Sequence, residues 1–289
     1  MIRDLTLIAG RGTVSRSTRA RERVLAAHAM LENCHFCAHH CGVNRLAGER
    51  GLCHAGAESR YFLAQPEVTD ELELVPTFAI ALSGCDLRCD FCITGAESWN
   101  PRAGAVFSAA EIAARAKAAL QDGARTVMVL GGEPTVHLQA ALELVAELPD
   151  SARLVWKTNA HGSPQARRLL DGMFDVWLAD YKFGNDDCAR RLAKVPDYTE
   201  VVRNNLLWAN EHSELIVRHL LMPGHIDCCW RPVAEWLAEK LPGVKVNLRS
   251  GFWPAWKSSR HPELHGTVTS GETKTADEIA RSYGLTLVP

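Results

Sequence analysis

Short apolar runs alternate with amphipathic stretches between residues 77 and 248. Each apolar run ends in Gly, Pro, Asn, Asp or another polar residue, and most are followed by a helical pattern of apolar positions. This alternation is expected of successive βα units. The predicted strands are 77–83, 126–130, 154–158, 176–180, 215–221 and 244–248.

The helical patterns lie between these runs, and one begins with Ser108 and Glu111, the signature of a capping box. Near-continuous apolar strands such as 127–130 are typical of a parallel sheet covered by helices. The sequence therefore predicts an α/β protein built as an open or closed βα barrel. The predicted helices are 108–121, 137–148, 164–170, 186–192, 199–210 and 229–240, with further helical pieces at 15–31 and 276–283.

Composition narrows the class of protein. The 289 residues are 47% hydrophobic and 23% charged, which suits one large core, and the net charge of −2 gives no general reason to expect nucleic acid or an anionic membrane as partner. No stretch approaches the roughly 20 apolar residues that a bilayer span requires. Residues 1–10 lack the features of an export signal, so we expect a cytoplasmic protein.

Ten cysteines without an export signal favour metal binding over disulfides. Three of them, Cys85, Cys89 and Cys92, follow the first predicted strand with the spacing C-x3-C-x2-C. Three thiolates on a tight loop can hold a 4Fe-4S cluster and leave one iron open for a substrate. A structural zinc site is the alternative, but such sites are normally closed by four protein ligands.

This loop resembles that of the radical S-adenosylmethionine superfamily, in which C-x3-C-x2-C follows the first strand of a partial βα barrel. The resemblance implies a partial (βα)6 barrel over residues 77–249, an N-terminal extension over 1–76 with a Cys-rich metal-binding module at 33–54, and a tail at 250–289 that packs on the barrel. It also implies that Phe91 lies near the adenine of S-adenosylmethionine.

A second motif, Gly131-Gly132-Glu133-Pro134, follows the second predicted strand. Alone it suits an ordinary strand-to-helix turn, but one crossover after the cysteine loop it resembles the superfamily turn that receives the methionine ammonium group. In that family the reduced cluster passes an electron to S-adenosylmethionine, and the resulting 5′-deoxyadenosyl radical abstracts hydrogen from a substrate. An external donor of the flavodoxin or ferredoxin type would supply the electron.

Charged and amide side chains follow or end the other strands. Because ligands bind at the carboxyl edge of such sheets, we expect these residues to contact S-adenosylmethionine or substrate, with surface ion pairing as the alternative. In activating enzymes of the superfamily the positions resembling Asn159 and Arg218 contact ribose and carboxylate. The remaining candidates are Lys157, Asp180 and Lys182, and His219 and His225 are weaker ones.

The first cysteine group has the spacing C-x2-C-x3-C-x11-C and comprises Cys34, Cys37, Cys41 and Cys53. Four soft ligands suit either zinc or an auxiliary iron-sulfur cluster, and neighbouring histidines could replace one cysteine. The run 48–53, Gly-Glu-Arg-Gly-Leu-Cys, resembles that of pyruvate formate-lyase-activating-enzyme-like proteins. The runs 180–184 and 261–264 extend this resemblance over most of the chain.

Three functions follow from these motifs. The first is a radical enzyme acting on a small molecule or peptide. We favour it because an enzyme that activates a glycyl-radical protein does not need the Cys-rich module at 33–54. The second is an activating enzyme whose substrate is a glycyl-radical protein. The third is a non-catalytic metal-binding protein, which would leave the open three-cysteine site unexplained.

Cys188, Cys228 and Cys229 have no spacing that forms a full site. We interpret them as structural, and the alternative is that Cys228 or Cys229 donates a hydrogen atom.

Overall fold

A computed structural model describes residues 14–68 and 71–289. The stretch 1–10, interpreted above as lacking an export signal, lies outside the described residues. No helix within the described ranges is long and apolar enough to cross a membrane.

One sheet organises the described residues. Its strand order is β3-β1-β2-β4-β5-β6-β7-β8-β9, and every neighbouring pair from β2 to β9 is parallel. The expected α/β class and partial barrel are confirmed. The strands are β1 (Arg60–Glu67), β2 (Thr77–Leu82), β3 (Ala105–Val106), β4 (Thr126–Gly131), β5 (Leu154–Thr158), β6 (Val176–Asp180), β7 (Glu214–Leu220), β8 (Lys245–Arg249) and β9 (Thr286–Leu287).

Helices connect the parallel strands and cover the outer face of the sheet. They are α1 (Arg16–Ala29), α2 (Gly95–Trp99), α3 (Ala109–Gln121), α4 (Leu138–Glu147), α5 (Pro164–Leu170), α6 (Asp186–Ala193), α7 (Tyr198–His212), α8 (Arg231–Lys240) and α9 (Ser270–Ser282). Short 3-10 turns cover Pro134–His137, Ser258–Arg260 and Pro262–Leu264, and a π turn covers Ile226–Trp230.

Three strands and one helix were missed by the periodicity argument. The edge strands β1 and β3 pair antiparallel with their neighbours, β9 extends the opposite edge, and α2 directly follows the cysteine loop. β1 lies within the 1–76 stretch that we interpreted as preceding the sheet. The helix predicted to begin at Cys229 begins at Arg231, because the π turn occupies the preceding residues.

The inner face of the barrel carries its own apolar layer. Met128, Val155, Leu178 and Ile216 come from four consecutive parallel strands and are completely buried with Leu74. Side chains alternate along a strand, so the positions two residues further on face the same interior. This layer fills the lower part of the barrel and directs the polar residues at the strand ends towards its mouth.

The arginine-rich helix α1 has a structural role. Arg21 donates to the carbonyl of Ala146, at the end of α4, and Arg23 donates to that of Leu169, at the end of α5. Carbonyls in the last turn of a helix lack intrahelical partners, and cations there also interact favourably with the helix dipole. The arginines of α1 therefore cap the carboxyl ends of α4 and α5.

Candidate functional site

The cysteine loop lies at the carboxyl end of β2. Cys85 and Cys89 are buried and Cys92 is partly exposed. Burial, with a smaller contribution from Asp86, raises the pKa of Cys85 well above its ordinary value, and burial raises the pKa of Cys89 to about 12 while Lys182 opposes the rise. Thiolates at these positions need a compensating positive charge, which a bound metal cluster would supply.

Ligand spacing also fits a cluster. The sulfurs of Cys85, Cys89 and Cys92 do not all lie within 4.8 Å of one another, whereas the ligand atoms of two other sets in the described ranges do. Thiolates on different irons of a cluster lie farther apart than thiolates that share one metal ion. The three cysteines therefore fit three corners of a 4Fe-4S cluster better than a mononuclear site.

The glycines of the second motif allow β4 to end against β2. A Cβ on Gly131 would lie 2.1 Å from the Leu82 carbonyl oxygen, and one on Gly132 would lie 2.0 Å from that of Gly84. The Gly132 and Glu133 amides donate to these same carbonyls at 2.9 Å. Only glycine permits this approach, which brings the motif beside the cysteine loop.

Glu133 is almost completely buried and its carboxylate accepts hydrogen bonds from within the protein. Oε1 accepts from the amide and hydroxyl of Thr135 and from Thr158 Oγ1, whereas Oε2 accepts from the Asn159 amide. Burial, reinforced by the nearby Asp86 carboxylate, raises the pKa of Glu133 to about 7. Oε2 has a lone pair left for a ligand cation.

Asp86 connects the cysteine loop with β5. Its Oδ1 accepts from Asn159 Nδ2 at 2.7 Å, its Oδ2 lies 2.8 Å from His161 Nδ1, and its backbone carbonyl lies 3.0 Å from His39 Nε2. Burial would raise the pKa of Asp86, but the His161 and Asn159 hydrogen bonds lower it overall. No motif in the sequence singles out Asp86 or His161.

Charged side chains lie in the barrel mouth, at the carboxyl ends of the strands that form the apolar layer. Lys182 pairs with Asp180, and Arg218 Nη1 lies 3.4 Å from Glu71 Oε1. Burial would raise the pKa of Asp180, but the positive charges of Lys182, Arg218 and Lys157 lower it overall. The predicted strand-end residues on β5, β6 and β7 are thus brought together around one carboxylate.

Asn247 is a residue that the sequence analysis missed. It lies on β8 beside Arg218 on β7, is 1% exposed, and has no hydrogen-bond partner for either its Oδ1 or its Nδ2 atom. A buried amide without partners costs free energy, so such groups are rare unless a ligand completes them. Its position within an otherwise ordinary strand gave no signal in the sequence.

Phe91 and Asp90 attach the cysteine loop to other parts of the chain. The Phe91 ring packs against Phe183, after β6, and Phe252, in the tail, with centroid distances of 6.0 and 6.3 Å. Asp90 Oδ2 lies 2.8 Å from His261 Nε2 and 3.1 Å from Lys194 Nζ. The 261–264 motif therefore begins with a contact to the cysteine loop.

The first cysteine group lies beside the same site. Cys34, Cys37 and Cys53 are buried and Cys41 is exposed. Burial raises the pKa of Cys37 well above its usual value, with further contributions from Asp86, Cys53 and Cys34. Arg45, which is buried, donates to the carbonyl of Val136 at 2.7 Å, so the segment is attached where α4 begins.

This arrangement, with a parallel βα sheet that presents three cysteines at its carboxyl edge, is that of enzymes that use S-adenosylmethionine as a radical source. The family model described as the Radical SAM superfamily matches residues 80–237. The chain therefore belongs to this superfamily, and S-adenosylmethionine and a 4Fe-4S cluster are the cofactors that membership implies.

Two curated proteins are similar in sequence. An uncharacterised protein of Methanocaldococcus jannaschii is 34% identical over 277 residues, which cover 92% of this chain and 79% of that protein. The 7-carboxy-7-deazaguanine synthase of Methanothermobacter thermautotrophicus is 30% identical over 103 residues, which cover 36% of this chain and 40% of the synthase.

Among solved structures, SuiB of Streptococcus suis bound to its precursor peptide SuiA has a TM-score of 0.56 at 14% identity. The match covers 70% of this chain and 46% of SuiB, so this chain spans about half the length of that protein. SuiB bound to S-adenosylmethionine gives the same TM-score. At this identity the likeness shows the fold.

Proposed function

We propose that this protein is a radical S-adenosylmethionine enzyme whose substrate is a small molecule or a peptide. The observation that carries the proposal is the position of Cys85, Cys89 and Cys92 beside the glycine motif at the carboxyl edge of the sheet. A bound 4Fe-4S cluster would supply the electron that cleaves S-adenosylmethionine to a 5′-deoxyadenosyl radical. The surrounding residues would bind and orient the two reactants.

In this proposal individual atoms of the site contact S-adenosylmethionine. Glu133 Oε2 has an acceptor lone pair for the methionine ammonium, beside Gly131, Gly132 and Pro134. Asn159 Oδ1 accepts one bond, from the His161 amide at 2.9 Å, and has a second lone pair for a ribose hydroxyl. Arg218 would bind the carboxylate, and Phe91 would lie next to the adenine.

The mouth contains further charged and polar groups besides those assigned to S-adenosylmethionine above. Lys157 and Lys182 approach Asp180 in the same mouth as Arg218, and Asn247 offers both a donor and an acceptor. This surplus supports a substrate that carries its own carboxylate or other polar groups. A buried polar mouth also excludes water from a radical once the substrate covers it.

In this proposal the N-terminal cysteines, Cys34, Cys37, Cys41 and Cys53, hold an auxiliary iron-sulfur cluster or zinc. The Asp86 charge acts on Cys37 and Cys53, which supports a site next to the cysteine loop, where an auxiliary cluster would relay electrons from a flavodoxin or ferredoxin. Within the described ranges, no three of their sulfurs all lie within 4.8 Å of one another, and this wider spacing favours a cluster over a single zinc ion. We place the protein in the cytoplasm, where cysteines stay reduced and available to metals.

The test compares two triple variants purified and reconstituted without oxygen. We expect Cys85/Cys89/Cys92→Ala to lose about four irons per chain and all formation of 5′-deoxyadenosine after reduction. The matched control, Cys34/Cys37/Cys53→Ala, should lose metal from the other site and keep cleavage of S-adenosylmethionine when dithionite, a small reductant that needs no relay, supplies the electron. Formation of 5′-deoxyadenosine by the first variant would refute the assignment.

A second experiment separates the substrate classes. Product formation and deuterium transfer into 5′-deoxyadenosine from a labelled small molecule or peptide would support the proposal. A persistent glycyl radical detected by electron paramagnetic resonance on a co-purifying protein would instead establish the activating-enzyme alternative.

A further inference from the structure

We propose that Cys188, His225 and Cys228 bind one zinc ion at the rim of the barrel, with the fourth position open to water or a substrate, in a site separate from both cysteine groups described above. Cys188 lies in the first turn of α6, and His225 and Cys228 lie in the turn that follows β7. They are 37 and 40 residues from Cys188 along the chain, but one ligand atom from each converges within 4.8 Å.

The sulfur spacing favours a single metal ion. Cys188 Sγ and Cys228 Sγ are 3.9 Å apart. Two thiolates bound tetrahedrally to one zinc ion at about 2.3 Å lie about 3.8 Å apart. In an iron-sulfur cubane each thiolate binds a different iron, which requires a wider separation.

The protonation of His225 leaves the correct nitrogen for a metal. Nδ1 lies 2.9 Å from the carbonyl oxygen of Pro223, which can only accept, so Nδ1 carries the proton. Nε2 is then unprotonated, and its lone pair accepts from Arg191 Nη2 at 3.1 Å. A ligating histidine commonly fixes its ring by donating its other nitrogen to a backbone carbonyl. Arg191 also pairs with Glu263, and that pair can persist when zinc replaces the bond to Nε2.

The two loops that carry the ligands are already tied together. Asn185 Nδ2 donates to the Cys228 carbonyl at 2.6 Å and lies 3.4 Å from Cys188 Sγ. A Cβ on Gly184 would lie 2.4 Å from the Cys229 carbonyl oxygen, so glycine allows the loops to meet. Zinc here would fix the loop after β6, which includes Lys182, against the loop after β7.

Asp227 supplies a matched control. Its side chain is 83% exposed, pairs with Arg231 and does not belong to the converging set. Asp227→Asn therefore changes the residue next to Cys228 without removing a proposed ligand. Cys229 does not serve this purpose, because its thiol contacts the sulfurs of both Cys188 and Cys228.

The experiment measures zinc and iron in the same anaerobically purified samples, after dialysis against one equivalent of zinc. We expect the double variant Cys188→Ser/Cys228→Ser to contain about one zinc fewer per chain than wild type, and Asp227→Asn to match wild type. Iron and 5′-deoxyadenosine formation report separately on the radical site. X-ray absorption at the zinc edge of wild type should show two sulfur ligands and one imidazole, and the imidazole signal should disappear in His225→Gln.

Equal zinc contents of wild type and the double variant would overturn the proposal and assign the zinc to another site. A Cys188–Cys228 disulfide in wild type, detected by mass spectrometry after anaerobic purification, would also overturn it. The absorption measurement uses wild type, so it keeps the proposal testable even if the double variant fails to fold.

Discussion

The side-chain amide of Asn159 donates a 2.7 Å hydrogen bond to Asp86 Oδ1 and lies 3.8 Å from Cys85 Sγ. Through this bond the end of β5 fixes the first residue after Cys85. The same Asp86 carboxylate contacts His161, two residues beyond Asn159. The cysteine loop is therefore positioned by a neighbouring strand end, in addition to its own backbone.

Asn159→Ala should lower the free energy of unfolding by about 1.5–3 kcal/mol, because a buried carboxylate loses a hydrogen bond. The change is measured by urea unfolding at pH 7 under anaerobic conditions. Asn204→Ala, at an exposed position on α7, should not lower the urea midpoint, because alanine is the better helix former. Equal midpoints for the two variants would contradict the role given to Asn159.

Glu133 should make stability depend on pH between 4.5 and about 7. Burial and Asp86 raise its folded pKa to about 7 from the ordinary value of 4.5, so the folded state binds the proton more tightly in that window. The free energy of unfolding then falls as pH rises from 4.5 to 7 and levels off above it. Glu133→Gln should remove this component, and Glu147→Gln, at an exposed position, should retain it. Urea titrations at several pH values in this range test the prediction, and identical slopes in all three proteins would reject it.

Asp90→Asn should detach the tail from the cysteine loop, because Asp90 accepts from both His261 and Lys194. We expect the free energy of unfolding at pH 7 to fall by about 1–3 kcal/mol. Proteolysis after residue 250 should also become faster. Burial would raise the pKa of Asp90, but these hydrogen bonds lower it overall, so its contribution is lost as pH falls below the ordinary value of 3.8. The difference between wild type and variant should therefore shrink in acid. Asp187→Asn is the control, because that side chain is 93% exposed, and this variant should be cleaved as slowly as wild type.

Asn247→Leu should separate function from stability. Removing a buried amide without partners should raise the free energy of unfolding by about 1 kcal/mol. Loss of one hydrogen bond to a ligand should at the same time reduce the rate of 5′-deoxyadenosine formation at limiting S-adenosylmethionine or substrate about tenfold, the equivalent of about 1.4 kcal/mol. Unfolding and turnover are measured on one preparation. Unchanged turnover in a stabilised variant would exclude Asn247 from ligand binding.

Much of the site could be predicted because its signals are local. The spacing of Cys85, Cys89 and Cys92 and the glycines at 131 and 132 are properties of short segments, and the polar strand ends follow from apolar runs that stop at defined residues. The parallel strands β2, β4, β5, β6, β7 and β8 were each located to within one residue at both ends. The roles of these residues towards S-adenosylmethionine remain predictions that the experiments above address.

The sequence by itself determined the parallel βα order and the edge of the sheet at which chemistry occurs, because strand burial on both faces leaves an uninterrupted apolar pattern. Only the tertiary structure decided that β1, β3 and β9 extend the sheet, that Asn159 bonds to Asp86, and that Cys188 meets His225 and Cys228. Edge strands are short and partly exposed, so their patterns are weak. The other contacts join residues tens of positions apart, and their distances depend on how the strands twist and how the loops pack.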